Sequence, residues 1–314
     1  MKSKTQWLSL PAFVSVVVII AGAGIFQSAA GQDEDRSKAI KAEEFMGNRP
    51  ARPRITTRKK INKPASLYKP SNPAAAVPPK GTEFAQVGVT AWRFRPATAR
   101  DKTKELIEED GNETATEWTL ERIAEGTSLL TGQRVRLAIE SLSRSGYLYV
   151  IDRELYSDGS FGDARLIFPT KRTRDGNNEV KAGQLIYIPP PPRYFRIKPG
   201  QSAKIQVAEA LTVLVSPQPL IDASQLGDKA ILLTREQVES WEKQWGTQPA
   251  KFELAGGVGK TMTDKEQAAG RDDSQELNQD DPAPQTIYRV AIKPEAPLLV
   301  TLKLPYGRTD SSRQ

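Results

Sequence analysis

Apolar and polar positions alternate most clearly in the middle third of the chain. In RVRLAIES (134–141), Val135, Leu137 and Ile139 fall on one side, and Arg134, Arg136 and Glu140 on the other. That period of two predicts a strand with one buried and one wet face. The turn signal SRSG and a second run of β-formers, YLYVIDREL, follow at once, so the pair is expected to form a hairpin. FAQVGVTAWRFRP (84–96) repeats the alternation through Val87, Val89 and Ala91. Between these runs, Lys102 to Glu125 reads as a polar insertion with short helices, because Thr114 stands three before Glu117 in the manner of a capping box.

Further short apolar runs, ARLIFPT, GQLIYIPPPP and YFRIKP, each close on proline, which cannot donate to a ladder and so marks strand ends. AKIQVAEALTVLVSPQPL adds one or two strands. After Leu226 the period lengthens. In LLTREQVESWEKQWG, Thr234 reads as N-cap, Leu233 and Val238 as a staple and Gly246 as the stop. Val238, Trp241 and Trp245 share the helix face expected to dock on a sheet. Leu298, Val300, Leu302 and Leu304 then alternate in a last strand expected to complete the sheet. Short strands at roughly ten-residue intervals predict a mainly β fold, an antiparallel β-sandwich-like domain with a few short helices, over residues 83–307.

Composition changes before that domain. Lys2 and Lys4 precede an apolar run from Leu8 to Phe26 and the small residues Ser28, Ala29 and Ala30, so 1–30 reads as a signal peptide, with a retained anchor through 8–26 as the alternative. Residues 31–82 are rich in proline and basic residues and poor in large apolar ones, which predicts a disordered linker. The net charge of +7 resides there: residues 46–80 hold nine Lys or Arg and no acid, whereas 81–314 hold 31 bases against 33 acids. Residues 308–314 read as a tail.

The chain has no cysteine and no histidine, which removes disulfides, thiol nucleophiles, thiolate or imidazole metal sites and every Ser-His or Cys-His relay. Oxygen chemistry survives. Asp152, Asp158 and Asp163, and Asp175, Asn177 and Glu179, offer calcium-like ligands, but the same residues suit hairpin turns and lack EF-hand order. Tyr147, Tyr149, Phe168, Tyr187, Tyr194 and Phe195 suit either a carbohydrate or peptide platform or cross-strand packing. Asn112 in NET matches a glycosylation acceptor. LAGGVGKTM (254–262) approaches a phosphate-binding loop, yet Leu254 and Ala255 stand where such loops need Gly or Lys, and no apolar helix follows. It reads as a flexible glycine turn. No catalytic, cofactor-binding or metal residue is assigned, and no cofactor or nucleotide is expected.

The succession of Val135 and Leu137, Gly146-Tyr147-Leu148-Tyr149-Val150, Phe168-Pro169, Asn177-Asn178, Val180, Ala182-Gly183 and Ile188-Pro189 resembles the bacterial family catalogued as domain of unknown function 4384. The resemblance covers a core of about 87–217, with 226–307 as a helix and C-terminal strand extension. It implies a sandwich-like domain of exported or envelope proteins with no assigned catalytic residues. The expectation is a non-enzymatic, exported or envelope-associated binding or accessory module, located in the periplasm, on the cell surface or outside the cell, whose partner is an envelope protein or polymer. The alternatives are a carboxylate-dependent enzyme acting on extracellular polymer, and a polyanion or nucleic-acid binder using the basic arm 46–80.

Overall fold

The computed structural model describes residues 40–41, 45–51, 67–70, 81, 83–107, 116–198, 203–271 and 276–307. The signal segment 1–30, most of the basic stretch, Asn112, Thr114 and the tail 308–314 lie outside the described residues. In chain order the strands are β1 (Ile40–Lys41), β2 (Leu67–Pro70), β3 (Glu83–Pro96), β4 (Glu105–Ile107), β5 (Thr116–Ile123), β6 (Arg134–Ser141), β7 (Gly146–Tyr156) and β8 (Ala164–Phe168). They continue with β9 (Glu179–Val180), β10 (Ile186–Ile188), β11 (Phe195–Arg196), β12 (Gln206–Ser216), β13 (Ile231–Leu233), β14 (Ala250–Leu254), β15 (Thr286–Ile292) and β16 (Leu298–Pro305). Two short helices, α1 (Arg235–Trp245) and α2 (Asp264–Ala269), flank β14.

The strands form two antiparallel sheets. Sheet one is organised on β3: β15 and β5 pair with its first and second halves, and β6 spans its middle on the opposite edge. β14, β2 and β1 extend it beyond β15, β4 extends it beyond β5, and β10 and β11 pair end to end along β6. Sheet two runs β13-β8-β7-β12-β16, with β9 on the start of β7. Val213 aligns with Val150 on one side and Val300 on the other.

One apolar cluster joins the two sheets. Val87, Val89, Val135, Leu137 and Ile139 of sheet one and Leu148, Val150, Leu211, Val213, Val215 and Val300 of sheet two are all buried in it. This placement corrects the expected β6–β7 hairpin: β6 lies in sheet one and β7 in sheet two, with the buried Leu142 between them. A hairpin sets two apolar faces side by side, whereas crossing between sheets sets them against each other and removes both from water.

The expected helices around Trp118 are also overturned, because 116–123 is strand β5. Pairing with Ala91–Pro96 satisfies its backbone, and Trp118 and Leu120 pack with Trp92 and Phe94. Long-range pairing outweighs the weak local capping signal.

The wet face predicted for β6 is buried throughout. Arg134 stacks on Trp118 at 4.1 Å, and Arg136 meets Glu105 through bonds of 2.8 and 2.9 Å. Residues of 255–271 and 276–283 supply much of the cover, including α2, whose Glu266 pairs with Arg122 at 2.5 Å. The outer face of sheet two instead receives α1. Thr234 caps that helix by accepting from Gln237 N at 3.2 Å, Gly246 ends it, and Val238 and Trp241 pack against Tyr149, Ile151, Leu214 and Leu299, as their spacing predicts.

Candidate functional site

On β7 the residues facing the other sheet run Leu148, Val150, Asp152; on β12 they run Val215, Val213, Leu211, Glu209. Each series is apolar until a carboxylate ends it. The antiparallel register sets Leu211 opposite Asp152, so Glu209 is its neighbour on the same face. Beyond it the register shifts by a bulge between Gln206 and Ala208, which lets Gln206 reach back to Glu209 at 3.0 Å. Bulges of this kind re-aim side chains and gather near binding sites.

The two acids line a half-enclosed cavity of about 190 Å³ between the sheets. Its walls are largely apolar, with Val135, Leu137, Ile197 and Leu304 among them, and Tyr306 and Arg196 contribute polar groups. Tyr306 Oη donates to Glu209 Oε1, the oxygen that also accepts from Gln206. Asp152 and Glu209 interact with each other, and the buried Asp152 Oδ1 and Glu209 Oε2 meet no hydrogen-bond donor among the described residues.

Burial, and then the nearby charge of Glu209, push the Asp152 carboxyl up to about 8. Burial raises Glu209 as well, against the lowering effect of the bonds it accepts from Tyr306, Gln206 and Asp152. Burial and the Glu209 carboxylate raise the Tyr306 phenol, which stays a donor. Two acids buried side by side resist ionising together, and Asp152 is the one whose carboxyl is pushed up to about 8. Such a pair can hold an ammonium or hydroxyl group, or pass a proton.

The other acidic residues do other work. Asp158 accepts from Ser160 N at 2.9 Å and pairs with Lys204 at 2.9 Å in the β7–β8 turn, and Asp163 is exposed. Asp175 has a φ of 53° before Gly176, and Asn177 accepts from Glu179 N at 3.0 Å, both turn features. Among the described residues no group of three or more acids is placed to hold a metal.

The six aromatics are dispersed. Phe168 lies between the sheets, Tyr149 outside sheet two, and Tyr187 outside sheet one, where its hydroxyl donates to Glu266 O at 3.1 Å. Tyr194 packs on Phe94, and Phe195 lines the cavity. Tyr147 borders a wide polar cleft with Arg174, Asn177 and Glu179.

The glycine-rich segment is held rather than loose. Gly259 N donates to Arg122 O at 2.8 Å, Arg122 N to Lys260 O at 2.9 Å, and Met262 N to Leu120 O at 2.9 Å, so 259–262 runs along the edge of β5. The helix that follows is capped by its own Glu266, whose carboxylate accepts from Thr263 N at 3.0 Å. A phosphate loop offers that helix end to its ligand.

Sequence reasoning named Asp152 as a loop residue and passed over Glu209 and Tyr306. The usable signal was an acid at an inward position of an otherwise apolar alternation, on two strands at once. Comparisons with protein-family models, with curated proteins and with solved structures returned no match.

Proposed function

We propose that this chain is a non-enzymatic, exported binding module with a β-sandwich-like body similar to the domain of unknown function 4384 family. It takes a small group of an envelope component into the inter-sheet cavity. The observation that carries this reading is the pair Asp152 and Glu209, set together in a cavity whose walls are otherwise largely apolar. Apolar walls with a few convergent polar groups are the usual composition of a ligand site. The fitting group is an ammonium or hydroxyl on a short apolar stem, because the carboxylate accepts hydrogen bonds and the walls exclude water.

The same pair favours a second reading, general acid–base catalysis, since a buried acid poised near neutrality can both give and take a proton. Polyanion binding through 46–80 rests on eight of its nine basic residues, because Arg49 is committed to an internal ion pair.

Thermal-shift titrations with n-butylammonium, cadaverine and butanediol test the binding reading. A saturable rise in Tm is expected for the wild type, and none for the D152N/E209Q double variant. Equal responses in both proteins overturn it, and turnover of any probe moves the assignment to the catalytic reading.

A further inference from the structure

Residues 45–51, FMGNRPA, fall inside the stretch that composition assigns to a linker, yet Phe45, Met46 and Arg49 are at most 2% exposed. A guanidinium carries five N–H donors in a rigid plane. Arg49 Nε and Nη2 meet the two carboxylate oxygens of Glu140 at 2.6 and 2.5 Å. Its remaining donors reach main-chain carbonyls: Nη1 those of Asn278 (3.2 Å) and Asp281 (3.3 Å), and Nη2 that of Pro282 (3.3 Å). All five are thus satisfied. Glu140, 1% exposed on the outer face of β6, accepts one further bond from Gly183 N at 3.2 Å.

The flanking residues are held as firmly. Phe45 lies against Phe252 with ring centroids 5.1 Å apart, and Met46 joins Leu142, Ala250 and Ile287 in one apolar cluster. Asn48 Nδ2 donates to Leu142 O at 2.8 Å, and Gln279 Nε2 donates to the carbonyls of Gly47 and Arg49 at 3.2 and 3.1 Å. The socket therefore recognises backbone, apolar bulk and a planar fork together. An ammonium has three donors on a compact head and cannot span a carboxylate and three carbonyls at once.

We propose that the outer face of sheet one carries an arginine-recognition site, selective for an arginine three positions after a pair of bulky apolar residues, and that this chain's own residues 45–51 occupy it. Its ligand class is an arginine-bearing peptide segment. The occupant belongs to the same chain, so it competes intramolecularly with any segment that comes from outside. A partner segment of the same chemistry enters only by displacing the arm.

The full-length R49A variant tests this, with ethylguanidinium chloride and n-butylammonium chloride at matched ionic strength as small probes and a synthetic peptide of residues 43–53 as the large one. R49A is expected to lose thermal stability. Ethylguanidinium and the peptide should restore part of it saturably, butylammonium should not, and the wild type should respond to none of them. The peptide should bind R49A at least about tenfold more tightly than its Arg49→Lys counterpart, because the bidentate fork is lost. Equal rescue by the two cations, or equal binding of the two peptides, overturns the proposal. R49K, which keeps charge and bulk, repeats the measurement should R49A fail to fold; a wild-type Tm for R49K overturns the proposal outright.

Discussion

On the outer face of sheet two, Tyr149, Ile151, Leu166 and Leu214 meet the apolar stripe of α1. On the outer face of sheet one, Arg122, Arg136 and Glu140 are buried against Glu266, Glu105 and Arg49. Both faces exclude water, but they are held differently. The apolar face is tolerant in direction, because burial of hydrocarbon depends on area and not on orientation. The ionic face is intolerant, because each charge removed from water needs its partner in place, and losing one leaves the other stranded. Sheet one therefore rests on three buried ion pairs among its described residues, two of them made with residues 49 and 266 far away in sequence, whereas on sheet two a single pair, Arg153 with Glu242 of α1, accompanies a mainly apolar contact.

The sharpest way to break this contrast is to remove one buried charge. R136A should destabilise the protein by about 3–5 kcal/mol in urea unfolding, since Glu105 stays behind without its partner, whereas exchanging both residues for leucine and methionine should recover most of that loss. A double variant as unstable as R136A would mean that the ions are not what makes this face fragile.

Next in size is the apolar counterpart. W241A should cost about 3 kcal/mol by loss of buried area and a cavity under α1. The region between the sheets supplies a control governed by protons. Asp152 holds its proton to about 8 in the folded state, against about 3.9 in the unfolded chain. Between those values the native state binds more protons, so stability should fall as pH rises, by at most about 1.4 kcal/mol per pH unit for one proton. D152N should flatten that decline, and an unchanged slope would show that the titrating group lies elsewhere. The smallest effect belongs to the α1 cap: T234A should cost about 1 kcal/mol, and a loss of 3 or more would mean that the cap also positions the docked face.

Much of the β architecture was legible. Val135, Leu137 and Ile139, and Leu298, Val300, Leu302 and Leu304, are buried as their alternation predicts, and Thr234 caps and Gly246 stops the helix expected there. What misled was locality. β6 and β7 look like a hairpin because a turn signal joins them, and only the second sheet reveals that their apolar faces oppose each other. Thr116–Ile123 looks helical at its start, and only β3 supplies the partner that makes it a strand.

The candidate site was half visible. Asp152 stood out as an acid, but its meaning came from Glu209, 57 residues later on a neighbouring strand, and from Tyr306 near the C-terminus. The pairing of Arg49 with Glu140, 91 residues apart, was hidden for the same reason.

By itself the sequence determined which residues alternate, where a helix starts and stops, and which chemistries are ruled out by the absence of cysteine and histidine, because periodicity, capping and composition are local or global properties of the chain. Only the tertiary structure decided which apolar face meets which, which acids come together and which arginine meets which carboxylate. Those outcomes depend on distances between residues far apart in sequence, and charge burial is tolerated only where such distances close.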